Sequence, residues 1–127
     1  MKAATINELK QELLNTDTST VIELCLRLAR FKKENKELLT YLLFEAHDTG
    51  SYIENVKKEM ELSFEGMNTG NVYFIKKTLR KILRITNKYS RYSGIAAVEI
   101  ELLIHFCNRM KQLNIPLSGN TVLYNIY

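Results

Sequence analysis

Residues 72–92 read VYFIKKTLRKILRITNKYSRY and carry the clearest periodic pattern in the chain. Apolar side chains such as Ile75, Leu79 and Ile82 recur every three or four positions, and the charged side chains fall on the opposite side of a helical wheel. The segment contains seven basic residues and no acidic one. It therefore predicts a long amphipathic helix that packs its apolar face on a core and presents a basic face outward.

The positive charge of the protein is concentrated in this one helix. The chain of 127 residues has a net charge of +4, and outside residues 72–92 it holds 11 basic against 14 acidic residues. Clustered charge focuses an electrostatic potential that scattered charge would cancel. We therefore take the basic side of the helix as the candidate binding face. Its residues are Lys76, Lys77, Arg80, Lys81, Arg84, Lys88 and Arg91, with Tyr73 among them.

Several interpretations of the basic face are open at this point. The face can simply be solvated, or it can pair with Glu54, Glu59, Glu61 and Glu65 of the preceding predicted helix. It can also bind a partner. Lysine and arginine beside tyrosine are suited to phosphates and bases, and an acidic protein would match the charge. A membrane surface fits least, because the apolar side of the helix is needed by the core.

The rest of the chain also predicts helices, starting at capping signatures. Thr5, Thr20 and Ser51 each precede a glutamate by three residues, as in a capping box. Asn35 and Asn71 (or Thr69) are candidate caps of two further helices. We expect helices at about 6–15, 21–32, 36–48, 52–65, 72–92 and 95–113. The predicted fold is all-α, a single domain over 1–127 with five to six helices as antiparallel hairpins, forming a compact bundle or a short helical-repeat-like stack.

The width of each apolar stripe predicts where the helices lie. The helix at 21–32 is apolar over more than half of its circumference, so we expect it to be central. The helix at 52–65 has a narrower stripe and is expected at the periphery. Cys25 and Cys107 are expected to be buried, reduced thiols. The residues expected to be deeply buried are Leu24, Leu28, Leu39, Leu42, Leu43, Leu79, Ile82, Leu83, Leu103 and Phe106.

The C-terminal segment 118–127 has a short apolar pattern at Val122, Leu123 and Ile126. A helix of about seven residues is not stable alone in water. We expect this tail either to dock on the body, to pair with a second molecule as a two-fold dimer, or to be the start of a further helix.

Motifs of catalysis and metal binding are missing from the sequence. It has no HExxH, CxxC or GxSxG motif and no glycine-rich phosphate loop. Glu99, on the apolar side of its predicted helix, is expected to be solvated or else buried beside an arginine. We therefore expect no enzymatic activity, no cofactor, no metal and no small-molecule substrate.

The expected function is that of an interaction protein. No apolar run is long enough to span a bilayer, and the N-terminus has no signal-peptide pattern, so we expect a cytoplasmic location and no membrane partner. The sequence favours a non-catalytic helical interaction module that binds a protein partner or associates with itself. The alternative is a nucleic-acid-binding protein that uses the basic face of helix 72–92.

Three segments resemble a family of small all-helical bacterial proteins without an assigned function. The segments are ELCLRLARFKKENKELLTYLLFEAHD, IKKTLRKILRITNKYSRYSG and VEIELLIHFC, which together cover most of the chain from Glu23 to Cys107. The resemblance implies a cytoplasmic helical domain and assigns no functional residue. Members of the family continue past the position of Tyr127, which implies that a longer protein is possible here too.

Overall fold

The computed structural model describes residues 1–113 and confirms the all-α fold class. Its helices are α1 (Ile6–Leu14), α2 (Thr18–Phe31), α3 (Lys33–Thr40), α4 (Thr49–Glu65), α5 (Val72–Ser93) and α6 (Ala96–Gln112), and a π-helical turn, Tyr41–Glu45, follows α3. Residues 1–113 contain no strand. None of the helices in this range is both long enough and apolar enough to cross a bilayer. The predicted tail at 118–127 lies outside the described residues.

The chain divides into two compact units, an N-terminal unit of residues 1–40 and a C-terminal unit of residues 41–127. In the C-terminal unit, α4, α5 and α6 each contact the other two. Their facing stripes form one hydrophobic core. The stripes repeat every three or four residues, as expected for one face of a helix. They consist of Tyr52, Ile53, Val56, Met60 and Phe64 on α4, Ile75, Leu79 and Ile82 on α5, and Val98, Leu102, Phe106 and Met110 on α6.

The predicted place of α4 at the periphery is wrong. Its stripe is narrow but runs the length of the helix, from Tyr52 to Phe64, and it contacts both α5 and α6. A narrow stripe is sufficient for a central helix in a three-helix core, because each helix has only two neighbours to cover. The predicted burial of Leu79, Ile82 and Phe106 is confirmed. Leu83 and Leu103 are only half-buried.

The N-terminal unit differs most from the expectation. Only Ala29 is buried in residues 1–40, so α2 is not a central helix. The physical reason is that its neighbour α3 has eight mostly polar residues and covers one strip of a helix that is apolar on most sides. In this unit the predicted burial is wrong for Leu24, Leu28 and Cys25, which are exposed, and Leu39 is half-buried. In the C-terminal unit it is wrong for Leu42 and Leu43, which are exposed, and Cys107 is half-buried.

Two of the helices are capped at their N-termini by aspartate carboxylates and not by the predicted hydroxyl side chains. Thr5 and Glu8 form the predicted capping box, but α2 is capped by Asp17 and α4 by Asp48, not by the predicted Thr20 and Ser51. Each aspartate accepts a hydrogen bond from the backbone N–H three residues later, at 3.1 Å, and another from the hydroxyl of that residue. These bonds favour the charged carboxylates and hold the pKa of both aspartates below its usual value.

The predicted cap at Asn35 is also wrong, because α3 begins two residues earlier at Lys33. The Asn35 side chain instead donates from Nδ2 to the carbonyl oxygen of Leu28 at 2.8 Å. Lys32 has extended backbone angles and forms the one-residue break between α2 and α3. α2 and α3 are therefore two separate helices, as the sequence predicts.

A hydrogen bond from Tyr52 links the start of α4 to the C-terminal part of α5. Its phenol donates a hydrogen bond to the carbonyl oxygen of Tyr89 at 2.7 Å, and its ring lies 4.6 Å from that of Tyr41. Burial raises the pKa of Tyr52 well above its usual value. The neutral phenol is thus the form that the fold stabilises.

We expect Tyr52 to make the protein sensitive to alkali. Because the folded-state pKa is raised, the contribution of Tyr52 to stability is complete below the unfolded value of about 10 and decreases as the pH rises above it. Tyr52→Phe should cost about 1 kcal/mol at neutral pH through the lost hydrogen bond. Melting temperatures between about pH 8 and pH 11 check this. The variant should lose less stability with pH than the wild type, and parallel curves would contradict the assignment.

Candidate functional site

Helix α5 carries the candidate binding face and has well-defined ends. It begins at the predicted Val72, where Asn71 accepts a hydrogen bond from the backbone N–H of Tyr73 at 2.7 Å. It ends at Ser93 and is capped by Gly94, whose φ of 64° is the left-handed conformation that glycine adopts without strain. Its 22 residues span roughly 33 Å at about 1.5 Å per residue.

The inner side of α5 fixes the rotation of the helix. Ile75, Leu79 and Ile82 pack in the core, and Thr86 and Ser90 continue the same stripe. The two buried hydroxyls donate to the carbonyl oxygens four residues earlier, at 2.7 and 2.9 Å, so neither is left without a partner. Because this side is packed over about four turns, the opposite side of the helix must face outward.

The outward side forms a basic groove of about 340 Å³. Four of its cations are exposed and Lys76 is half-buried. Tyr73 is 64% exposed, and its ring stands edge-on to that of Phe74 at 5.4 Å. Every side chain that lines the groove comes from α5. The lining residues are Tyr73, Lys76, Lys77, Arg80, Lys81 and Arg84, which we call the α5 groove.

Glu54, Glu59 and Glu61 of α4 have partners outside the α5 groove. Glu61 accepts a hydrogen bond from Nε of Arg109 at 2.7 Å, and its Oε1 lies 3.0 Å from Nε2 of His105. Glu59 accepts from the hydroxyl of Tyr89 at 3.1 Å, and Glu54 lies 3.7 Å from Lys57. Within residues 1–113, no cation of the α5 groove forms an ion pair. The interpretation that these acids neutralise the groove is therefore wrong.

Two predicted members of the face lie apart from the groove. The ammonium group of Lys88, which is half-buried, lies 5.2 Å from the ring centre of Tyr89. Arg91 lines a separate cavity of about 550 Å³ at the turn between α5 and α6, together with Gly94 and Glu99. Glu99 is exposed, so the interpretation of a buried carboxylate is wrong. The structure thus brings six of the eight predicted residues together.

The groove carries an electrostatic cost that a bound anion would remove. Lys76, Arg80 and Arg84 follow one another at intervals of four residues, and Lys77 and Lys81 do the same. Like charges at this spacing destabilise a helix by a few tenths of a kcal/mol per pair. Among residues 1–113, no acidic side chain lines the groove to offset this repulsion. The arrangement is suited to holding several negative charges about 6 Å apart along the helix.

The other side chains that could bind a metal or act in catalysis do not form a second candidate site within residues 1–113. Within residues 1–113, no three His, Cys, Asp or Glu side chains lie together in a way that could hold a metal ion. His105 belongs to the ion-pair network of Glu61, and His47 is exposed. Sequence analysis missed the exposed apolar surface of the N-terminal unit. The breadth of the apolar pattern on α2 was the available sign, since it exceeds what one short neighbour can cover.

Comparisons with known protein families, with curated proteins and with solved structures find no match. The assignment of the site therefore rests on its own geometry and charge. The resemblance to small all-helical bacterial proteins stays a prediction.

Proposed function

We propose that the chain is a non-catalytic helical interaction module and that the α5 groove binds nucleic acid. The observation that carries this proposal is the open groove. Five cations and an exposed tyrosine share one side of one helix, and no acid of the described chain pairs with them. Proteins that hold phosphates in this way gain affinity by releasing the counterions of the nucleic acid.

The composition of the groove favours nucleic acid over an acidic protein. Protein–protein interfaces are depleted in lysine and place apolar or aromatic residues at their centre. Interfaces with nucleic acid are more polar and much more positively charged. The α5 groove has Lys77, Arg80 and Lys81 at its centre, and its single aromatic residue, Tyr73, lies at one end.

The shape of α5 is compatible with both forms of nucleic acid. An exposed helix of roughly 33 Å is long enough to follow several phosphates, and the major groove of DNA, about 12 Å wide, admits an α-helix. Tyr73 offers an exposed ring on which an unpaired base could stack. Binding assays with single-stranded RNA, single-stranded DNA and duplex DNA distinguish these cases.

A charge-matched pair of variants tests the role of the groove. We expect Lys77→Glu/Lys81→Glu to weaken binding by tenfold or more and to reduce the salt dependence by about one phosphate contact per lysine. The control is Lys2→Glu/Lys58→Glu, which changes the net charge by the same amount at exposed positions outside the groove. Fluorescence anisotropy with labelled 20-nucleotide strands measures both.

Equal losses in the two variants would mean that net charge, and not the groove, causes binding. The proposal would be contradicted if the protein bound none of the three nucleic acids at micromolar concentration and low salt. It would also be contradicted if the protein bound only an acidic peptide. In the last case the groove would serve an acidic protein partner.

A protein partner, which sequence analysis favours over nucleic acid, is the second candidate here. The observation in its favour is the exposed apolar surface of residues 1–40. For either partner, we propose that the protein is cytoplasmic and that it has no enzymatic activity, no cofactor and no small-molecule substrate.

A further inference from the structure

The N-terminal unit exposes more apolar surface than a lone unit of its size tolerates. Besides Met1, ten large apolar side chains in residues 1–40 are exposed by between 37% and 83%. The most exposed on α2 are Leu28 at 62% and Phe31 at 75%. On α1, apolar side chains including Leu9 and Leu13 line an open groove of about 400 Å³. Exposed apolar surface on this scale is typical of an interface.

The unit has almost no core of its own. Ala29 is its one buried side chain, and α1, α2 and α3 have 9, 14 and 8 residues. Isolated helices of fewer than about 12–15 residues are marginal in water. Units of about 40 residues usually need a disulfide, a metal or oligomerisation to be stable. Cys25 is a free thiol, and residues 1–113 hold no metal-binding cluster, so of these three means of stabilisation we consider oligomerisation.

We propose that α2 binds α2 of a second copy of this chain in a two-fold dimer. The contact surface is centred on Leu24, Leu28 and Phe31, which lie at positions i, i+4 and i+7 on one side of α2, and it extends to other exposed apolar side chains of the unit. In a two-fold dimer the same surface serves both partners, so no other binding partner is required. Pairing would bring two copies of α2 and α3 together, which is enough helices for a bundle with its own core.

Charge and area support a second copy as the occupant. Residues 1–40 contain seven Lys or Arg against six Asp or Glu, so two such units do not repel each other through net charge. An acidic or basic partner would gain little from this surface. At roughly 150–200 Å² for a large side chain, the exposed fractions of all ten side chains amount to on the order of 900 Å² per copy, of which Leu24, Leu28 and Phe31 contribute about a third. A stable interface buries about 800 Å² per partner.

The molar mass of the full chain in solution tests the proposal. Light scattering after gel filtration should give twice the chain mass of 14.8 kDa. We expect Leu24→Asp/Leu28→Asp to give the mass of one chain, because charge on both copies of α2 opposes pairing. The milder Phe31→Gln should raise the dimer dissociation constant by about tenfold or more. The control is Leu62→Asp, at a leucine of α4 that is 70% exposed, and it should stay dimeric.

The proposal does not depend on nucleic-acid binding, and its outcomes are separate. A wild type that is monomeric at every concentration overturns it. A dimer that survives both α2 variants, or that Leu62→Asp also dissociates, places the interface elsewhere and overturns it as well. If Leu24→Asp/Leu28→Asp loses its helical circular dichroism, the variant is unfolded and its mass is not informative. The molar mass of the wild type and the dimer dissociation constant of Phe31→Gln then test the proposal.

Discussion

Leu79→Ala should destabilise the protein by about 3 kcal/mol, within the 2–5 kcal/mol typical of leucine truncation in a packed core. Leu79 is 0% exposed and belongs to the core formed by α4, α5 and α6. The loss combines the transfer of the side chain from water with the cavity left behind. Urea unfolding followed by circular dichroism measures it, as a lower midpoint at an unchanged slope.

The matched control for Leu79→Ala is Leu62→Ala. Leu62 is 70% exposed on α4, so removing its side chain should change the free energy of unfolding by no more than about 0.5 kcal/mol. Similar losses at the two leucines would show that α5 does not pack as described.

Phe106→Ala should have an effect of about 3–5 kcal/mol, the largest expected from one substitution. Phe106 on α6 is 1% exposed, and its ring centre lies 5.9 Å from that of Phe64 on α4. Truncation removes this ring contact as well as the buried area. Phe106→Leu keeps most of the volume and should cost much less.

Ile104→Ala is the control on the same helix, because Ile104 is 55% exposed. It should shift the unfolding midpoint only slightly. If Phe106→Ala and Ile104→Ala shifted the midpoint equally, the inward face of α6 would be assigned wrongly.

The sequence is most informative where one helix has two unlike sides. On α5 the basic and apolar side chains separate almost completely, so the buried residues Ile75, Leu79 and Ile82 follow from periodicity alone. Asn71 and Thr69 are both candidate caps in the sequence, and the structure uses Asn71. The end of α5 is marked by Gly94, because glycine adopts the left-handed conformation without strain. Each of these features is local, and local features can be recognised in a sequence.

Burial of the N-terminal helices could not be predicted in the same way. The pattern of α2 shows that Leu24 and Leu28 favour an apolar environment, but not whether this chain supplies one. Helix α4 shows the opposite case. Its apolar stripe, which ends at Phe64, is narrow, yet the helix is central because both α5 and α6 pack on that stripe. Burial depends on the number and the length of neighbouring helices, which is a property of the tertiary structure.

The sequence predicts the positive charge of the candidate site, but it does not predict whether the basic side chains are open to a partner. The run from Lys76 to Arg84 is evident in the sequence, and so are the glutamates of α4 that could have covered it. Only the structure shows that Glu61 binds His105 and Arg109 of α6 instead. The position of each glutamate relative to the neighbouring helices decides this, and that position is a property of the tertiary structure.

The salt dependence of nucleic-acid binding by the wild-type chain tests the central claim most directly. With about five phosphates held by the α5 groove, the logarithm of the affinity should fall with the logarithm of salt concentration with a slope between about −3.5 for single strands and −4.5 for duplex DNA. Anisotropy titrations at several concentrations between about 50 and 200 mM salt give this slope. A slope in this range is the predicted result. No binding at micromolar protein, or an affinity that does not change with salt, would contradict the claim that the groove binds phosphates.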